Sequence, residues 1–492
     1  MDLPLTLDPA AETPLYRQLY DQIRQRILAG QLAPGTRLPA SRELAAQLKI
    51  SRNTVTNAYE QLAAEGYLES RVGAWTFVAS QLTPDRATRP RSLGPTGEPL
   101  TPRLNRYAEI LKEGYRLAYA PQAPVTYDFR RFAPALDAFP VAEWRRIVAR
   151  QWLAPSPADL GYGSAQGSAL LRKEVAAYVA RARAVNCTPE QIVITTGSQQ
   201  AFDVLARITL EPGSAVVIEE PGYVGARAIF ASHGAAVVPV PVDRDGIDVD
   251  ALRRRRHGRI RLAYVTPSHQ FPTGVAMSLP RRLALLQWAT DARAMIVEDD
   301  YDSEFRYEGG TFESLQGLDT HQVVVYVGTF SKVLSPALRV GYVVLPQLLV
   351  EPFVAAKSLA DRHTASFQQA ALAAFMESGQ FVRHLRRLRR LHRLRRDALL
   401  RALVTHFGED ALIGEARAGL HIQVRWRGCP ATDTLLERAR EAGIGLFRAR
   451  SLYVNPPPSD PGVLMTFATM PEPKIHAGVA ALAKVLAAAK AP

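Results

Sequence analysis

Lys332 stands in GTFSKVLSPALRVGY, directly after an apolar run and beside the small hydroxyls of Thr329 and Ser331. An amine so placed can form a Schiff base with an aldehyde while its neighbours hold a phosphate. Asp299 ends the apolar run MIVED. A carboxylate at a strand end can pair with a protonated ring nitrogen and make that ring an electron sink. Tyr301, two residues on in an extended chain, projects to the same side, where its phenol can reach a ring oxygen. TTGSQQAF puts Gly197, Ser198 and Gln199 between a strand and a helix, so exposed amides and the positive helix end suit a phosphate. Tyr223, in EEPGY, can stack on an aromatic ring, and Arg339 can neutralise a phosphate. Each has an ordinary alternative: a solvated lysine, a capping carboxylate, a packed phenol, a helix cap, a turn aromatic, a surface ion pair.

A second set lies near the N-terminus. Arg52, Asn53, Thr54 and Thr56 open a helix with short polar groups and one guanidinium, suited to phosphates and base edges. The elements that must hold them follow from spacing. Leu15, Leu19, Ile23 and Ile27 recur every four residues and predict a helix closed by Gly30. Ser41 is expected to cap a short helix burying Leu44 and Leu48, and Ser51 a third with Val55, Tyr59 and Leu62 on one face. Residues 67–70 and 76–79 predict a hairpin around Gly73. Three helices and a hairpin make a winged helix-turn-helix pattern, whose second motif helix enters the major groove. A small helical interaction domain with a solvated polar face fits the same periodicity.

The stretches PLYRQLYDQIRQRILAG, GTRLPASREL and SRNTV decide between them, because together they resemble a GntR-type winged-helix DNA-binding domain. The resemblance implies a double-stranded DNA operator as partner. By position it puts Arg42 and Arg52 on phosphate or bases, Asn53, Thr54 and Thr56 beside them, and Gly73 at the wing tip. Thr56 stands where an arginine or a larger polar side chain is common, and Trp75 where the wing usually has glycine.

The chain has 492 residues, with 47% hydrophobic and 22% charged, a globular composition. Its formal charge is +13, yet residues 1–80 balance to zero, so the DNA reading rests on motif and not on charge. No apolar run approaches the roughly 18 residues of a membrane span, so no membrane partner is expected. The N-terminal stretch lacks the basic and apolar regions of a secretory signal. Cys187 and Cys429 make no disulfide framework and sit at no zinc-ligand spacing, so a reducing cytoplasm and no metal are expected.

Residues 81–126 hold seven prolines and read as a linker, interrupted by a helix near 105–119. The expected division is a head over 1–80, that linker, and a body over 127–492. In the body, short apolar runs at 192–196, 215–219, 236–240, 262–266, 295–299, 323–327 and 340–344 alternate with helix-length segments. They predict an α/β domain on a mostly parallel seven-stranded sheet. Ligands of such sheets collect beyond the carboxyl ends of the strands, where the residues of the first set fall. The stretch 383–401 is expected to be a helix with leucines inward and a basic outer face.

The order Tyr162, GSQQ, PGY, PSHQFPTG, EDDYDSEF, SKVLSPALRVGY resembles fold-type I pyridoxal-phosphate (PLP) enzymes of the aminotransferase class, with a smaller α+β C-terminal domain. The resemblance implies PLP on Lys332, Asp299 at the pyridinium and Tyr301 at the phenolate oxygen. It further implies Tyr223 stacked on the ring and Ser198, Gln199, Thr329 and Arg339 around the phosphate. Tyr162 would reach the phosphate of a neighbouring subunit. A GntR-like head joined to such a body is the layout of the MocR/GabR-type regulators. That resemblance implies a head-to-tail homodimer that senses an amine, an amino acid or PLP itself. The alternative is a working aminotransferase with an accessory head. Phe271 replaces the asparagine usual before PTG, and Leu464 an arginine that clamps a substrate carboxylate; both count against efficient turnover.

Overall fold

The computed structural model describes residues 5–71, 75–81, 105–119, 123–153, 155, 160–255, 259–310, 312–429, 431–457 and 459–490. The chain divides into two compact units, Met1–Arg103 and Leu104–Pro492.

In the first unit, α1 (Leu15–Leu28) buries Leu19, Tyr20, Ile23 and Ile27 along one stripe. Full burial of such a side chain is worth about 1.5–3 kcal/mol. α2 (Ser41–Leu48) starts one residue earlier than a Ser41 cap requires. Ala40 is the capping position, its amide donating to Glu43 Oε2 at 3.2 Å, and Ser41 is the first helical residue. Ser51 does cap α3 (Arg52–Ala64), accepting from the Asn53 amide at 3.1 Å. Val55, Tyr59 and Leu62 face the core, and the buried Tyr59 hydroxyl donates to the Pro39 carbonyl at 3.0 Å. β1 (Leu68–Arg71) and β2 (Trp75–Val78) pair antiparallel, Leu68 opposite Val78. Gly73 lies outside the described residues.

The second unit opens on α4 (Arg106–Tyr119), the helix expected within the linker. It crosses the later helix Val224–Ser232 closely, because Gly114 has no Cβ to meet Ala228. Of the proline-rich stretch, 82–104 and 120–122 lie outside the described residues. Next come β3 (Tyr127–Asp128), α5 (Val141–Leu153) and α6 (Ala169–Arg183).

The main sheet contains β4 (Ile192–Thr195), β5 (Ser214–Glu220), β6 (Ala236–Asp243), β7 (Gly246–Ile247), β8 (Arg259–Val265), β9 (Met295–Asp300), β10 (Val324–Thr329) and β11 (Gly341–Val344), in the order β4-β11-β10-β9-β8-β5-β6-β7. All seven expected strands are present, and the two-residue β7 adds an eighth at the edge by folding back on β6. β11 runs antiparallel to both neighbours, while β10-β9-β8-β5-β6 are parallel. Helices cover both faces, which is why β4 and β11 are buried at every position.

A smaller antiparallel sheet, β12 (Ala411–Ile413), β13 (His421–Trp426), β16 (Val463–Thr466) and β15 (Phe447–Arg448), closes the C-terminal part. β14 (Ile444–Gly445) pairs with β3 instead. The helix Gln380–Phe407 corrects one expectation. Its buried stripe takes in His384, Leu385, Leu388, His392, Arg395, Arg396 and Leu399, while Leu394 is exposed. At 100° per residue Leu394 falls off that stripe and Arg395 and Arg396 fall on it. They are buried because Arg395 pairs with Asp137 and Arg396 with Glu308 and Asp397. Among the described residues, no helix is long and apolar enough to cross a membrane.

Candidate functional site

In the first unit, α3 presents Arg52 and Asn53 to solvent at its first turn, with Thr54 and Thr56 half-buried behind them. The Arg52 Nε lies 3.5 Å from Ser41 Oγ, which draws the guanidinium toward the start of α2, where Arg42 is exposed. Two helix N-termini and the Arg52 guanidinium therefore share a neighbourhood, an arrangement suited to phosphate oxygens. Arg37, which sequence reasoning passed over, lays its guanidinium against the Trp75 ring; its bridge to Phe77, on the same strand as Trp75, brings the two together.

In the second unit the carboxyl ends of β4, β8, β9 and β10 open onto a cavity of about 360 Å³. Lys332, Asp299, Tyr301, Tyr223, Ser198, Gln199, Thr329 and Arg339 all line it. Tyr162 does not. It is 84% exposed and stands against His363 on another part of the surface.

At one end Gly197 precedes the helix Ser198–Thr209, designated α7. Its φ of +127° is one that L side chains rarely adopt, and a Cβ here would stand 3.3 Å from Arg339 Nη2. Glycine thus lets the guanidinium close on the helix N-terminus, and cation, amides and the Ser198 and Thr329 hydroxyls form an anion cradle. Gln199 Nε2 donates to the Tyr223 hydroxyl at 2.8 Å and fixes that ring on the cavity wall.

In the middle, Asp299 Oδ2 accepts from the Tyr264 hydroxyl at 2.6 Å, while the buried Oδ1 has no hydrogen-bond partner among the described residues. Burial pushes the Asp299 pKa up to about 7, and the Tyr264 hydrogen bond and Lys332 only partly offset it. A cationic N–H arriving at Oδ1 would complete the carboxylate's bonding, so a protonated pyridine fits this site. Burial lowers the Lys332 pKa below the ordinary lysine value against the pull of Asp302 and Asp299, which favours the nucleophilic neutral amine. Its Nζ donates to the Phe132 carbonyl. Burial also raises the Tyr301 pKa and keeps the phenol protonated as a donor. Its hydroxyl donates to the His269 carbonyl at 3.1 Å.

The Asp299 shift has a sign that can be checked. A folded pKa above the unfolded value of about 3.9 gives stability that is complete below that value and lost as pH rises through about 7. In protein stripped of small molecules, wild type should therefore gain on Asp299→Asn toward pH 4.5 and lose to it toward pH 8. Urea midpoints of the two proteins at both pH values measure this; a pH-independent gap would refute the shift.

Several cavity residues escaped the sequence reading: Tyr264, Phe132, His421 and Phe447. Tyr264 offered a weak signal as the hydroxyl-bearing residue in the apolar strand RLAYV, while the other three come from segments far apart in the chain. Behind Tyr301, ligating atoms of His269, Asp302 and His421 lie within 4.8 Å of one another, a buried polar cluster that no local spacing announces.

Comparison with known proteins bears on both units. Residues 15–78 match the family of bacterial regulatory proteins of the gntR type, and residues 135–482 match aminotransferase class I and II. The chain is 36% identical over 481 residues to the probable rhizopine catabolism regulatory protein MocR of Rhizobium meliloti, covering 97% of this chain and 95% of that one. It is 33% identical over 396 residues to the pyridoxine biosynthesis transcriptional regulator PdxR of Corynebacterium glutamicum, 80% of each. Among solved structures it resembles LysN, the α-aminoadipate aminotransferase of Thermus thermophilus, crystallised with N-(5'-phosphopyridoxyl)-L-leucine. There the TM-score is 0.69 and the identity 30%, over 78% of this chain and 97% of that one. A gntR-type head, a class I and II aminotransferase body and end-to-end similarity to MocR leave one conclusion: the chain belongs to the MocR-type transcriptional regulators.

Proposed function

We propose that this protein is a PLP-dependent, DNA-binding transcriptional regulator that senses an amine, an amino acid or PLP itself through Lys332. The observation that carries this reading is the unpartnered Oδ1 of Asp299 in the same cavity as Lys332 and the Arg339 cradle. Bound PLP supplies an aldehyde carbon that exchanges amines and a conjugated ring that absorbs visible light. The chain supplies the rest. Arg339, Ser198, Gln199 and Thr329 would hold the phosphate, and Tyr223, tethered by Gln199, would offer its ring to the cofactor's. Asp299 keeps the ring-nitrogen proton, with Tyr264 locking the carboxylate's orientation. Tyr301 would offer its hydroxyl to the ring oxygen, and Lys332 would provide the amine that holds the aldehyde carbon.

The head spans 1–80, the linker 81–126 and the body 127–492. Arg42 and Arg52 grip operator phosphate or bases, with Asn53, Thr54 and Thr56 alongside and Gly73 at the wing tip. The regulator works in the cytoplasm as a head-to-tail homodimer. Supporting this, exposed Trp152 stacks on Phe367, and exposed Leu160 and Tyr162 surround His363, an apolar surface for a second copy. Tyr162 then serves the neighbour's phosphate.

An effector changes DNA binding only by preferring one of two states. In a titration of a labelled operator fragment from the protein's own promoter, PLP-loaded and PLP-free protein should differ in affinity by about 5–150-fold. Identical isotherms would overturn the sensing of PLP itself. Intact Lys332 and Asp299 also suit the second reading, an aminotransferase with an accessory head. Sustained keto-acid production at ordinary enzyme rates, about 1–1000 per second, would favour it.

A further inference from the structure

The cavity is lined by a polar set of residues around Gly197 and Arg339 and by an aromatic set around Phe132, whose carbonyl accepts from Lys332 Nζ. Among the described residues Arg339 is the only arginine lining it, and Gly197 seats that guanidinium in the polar set. The second set forms an aromatic wall. Phe132 meets Phe271, His421 and Phe447 edge-to-face at centroid distances of 5.5, 5.5 and 5.3 Å. Beneath these rings the fully buried Leu464 packs with Val224, Ala449 and Leu452, and the three phenylalanines pack against that cluster.

Two nearby arginines are engaged elsewhere. Arg448, next to Phe447, pairs with Asp433 at the surface, and Arg130 forks onto Asp128. Arg450 is exposed. His421 supplies no charge either, because burial lowers its pKa to about 3. Its Nε2 lies 3.0 Å from the Pro272 carbonyl and so carries the proton, which leaves Nδ1 an acceptor without a hydrogen-bond partner among the described residues. A carboxylate entering this wall would lose its hydration and meet rings, aliphatic carbons and an acceptor.

Resting on the reading of Lys332 as the PLP lysine, we propose that the effector is an aryl- or branched-alkyl primary amine without a carboxylate. Its apolar part sits among Phe132, Phe271, Phe447 and Leu452. The cavity selects against ordinary α-amino acids by desolvation without compensation.

The test uses the full-length PLP-loaded protein, whose visible spectrum is titrated with 2-phenylethylamine and with L-phenylalanine. These probes differ only in the α-carboxylate. Half-saturation by the amine is expected at a concentration at least about tenfold lower. Phe447→Ala should shrink the advantage of 2-phenylethylamine over methylamine, since the lost ring contacts serve only the larger ligand. Equal or tighter response to L-phenylalanine, or an unchanged advantage in Phe447→Ala, overturns the proposal and leaves the lysine reading standing. If the loaded protein shows no visible band before either probe is added, the lysine reading falls and the proposal with it.

Discussion

Lys332→Ala is expected to lose the visible absorption of the lysine-bound cofactor completely, whatever PLP concentration is supplied. Among the described residues Lys332 is the only lysine lining the cavity, so no second amine can substitute. The anion cradle at Gly197 and Arg339 remains, so the variant should still take up PLP, with half-saturation raised by at least about tenfold, or ~1.4 kcal/mol. Lys332→Arg separates charge from chemistry, because it keeps a cation that is never neutral and so cannot add to an aldehyde. It should fail as Lys332→Ala does. Operator binding should survive in both variants and no longer respond to added amines. Absorbance spectra and operator titrations of the three proteins check all of this, and a persisting band in Lys332→Ala would remove the residue from its role.

Arg52→Ala is expected to weaken operator binding by about 10–150-fold, the equivalent of one charge-assisted hydrogen bond of about 1.5–3 kcal/mol. If the contact is to phosphate, the slope of log affinity against log salt should also flatten by about 0.9. Arg52 is exposed at the first turn of α3, and its side-chain contact within the head is the long one to Ser41. Removing it should therefore leave thermal stability within about 0.5 kcal/mol. Anisotropy titrations at three salt concentrations, with a melting curve for each protein, separate lost contact from lost fold. Unchanged affinity and slope would take Arg52 off the DNA surface.

The sequence alone determined what depends on local periodicity and motif. The every-fourth-residue aliphatics of α1, the Ser51 cap and the seven sheet strands are written in windows of a few residues. Lys332, Asp299, Tyr301 and Arg339 were legible because each sits in a motif at a strand end or in the loop beyond it, where α/β folds gather ligands. Only the tertiary structure could supply the Tyr264 bond to Asp299, the wall built by Phe132, Phe271, His421 and Phe447, and the burial of Arg395 and Arg396. Those contacts join segments tens to hundreds of residues apart, and which ones meet is set by strand order and helix crossing. Even Ser41 lost its capping role to Ala40 through a contact with Glu43. Side-chain period reports which face of an element is apolar; it carries no information about which distant element will cover that face.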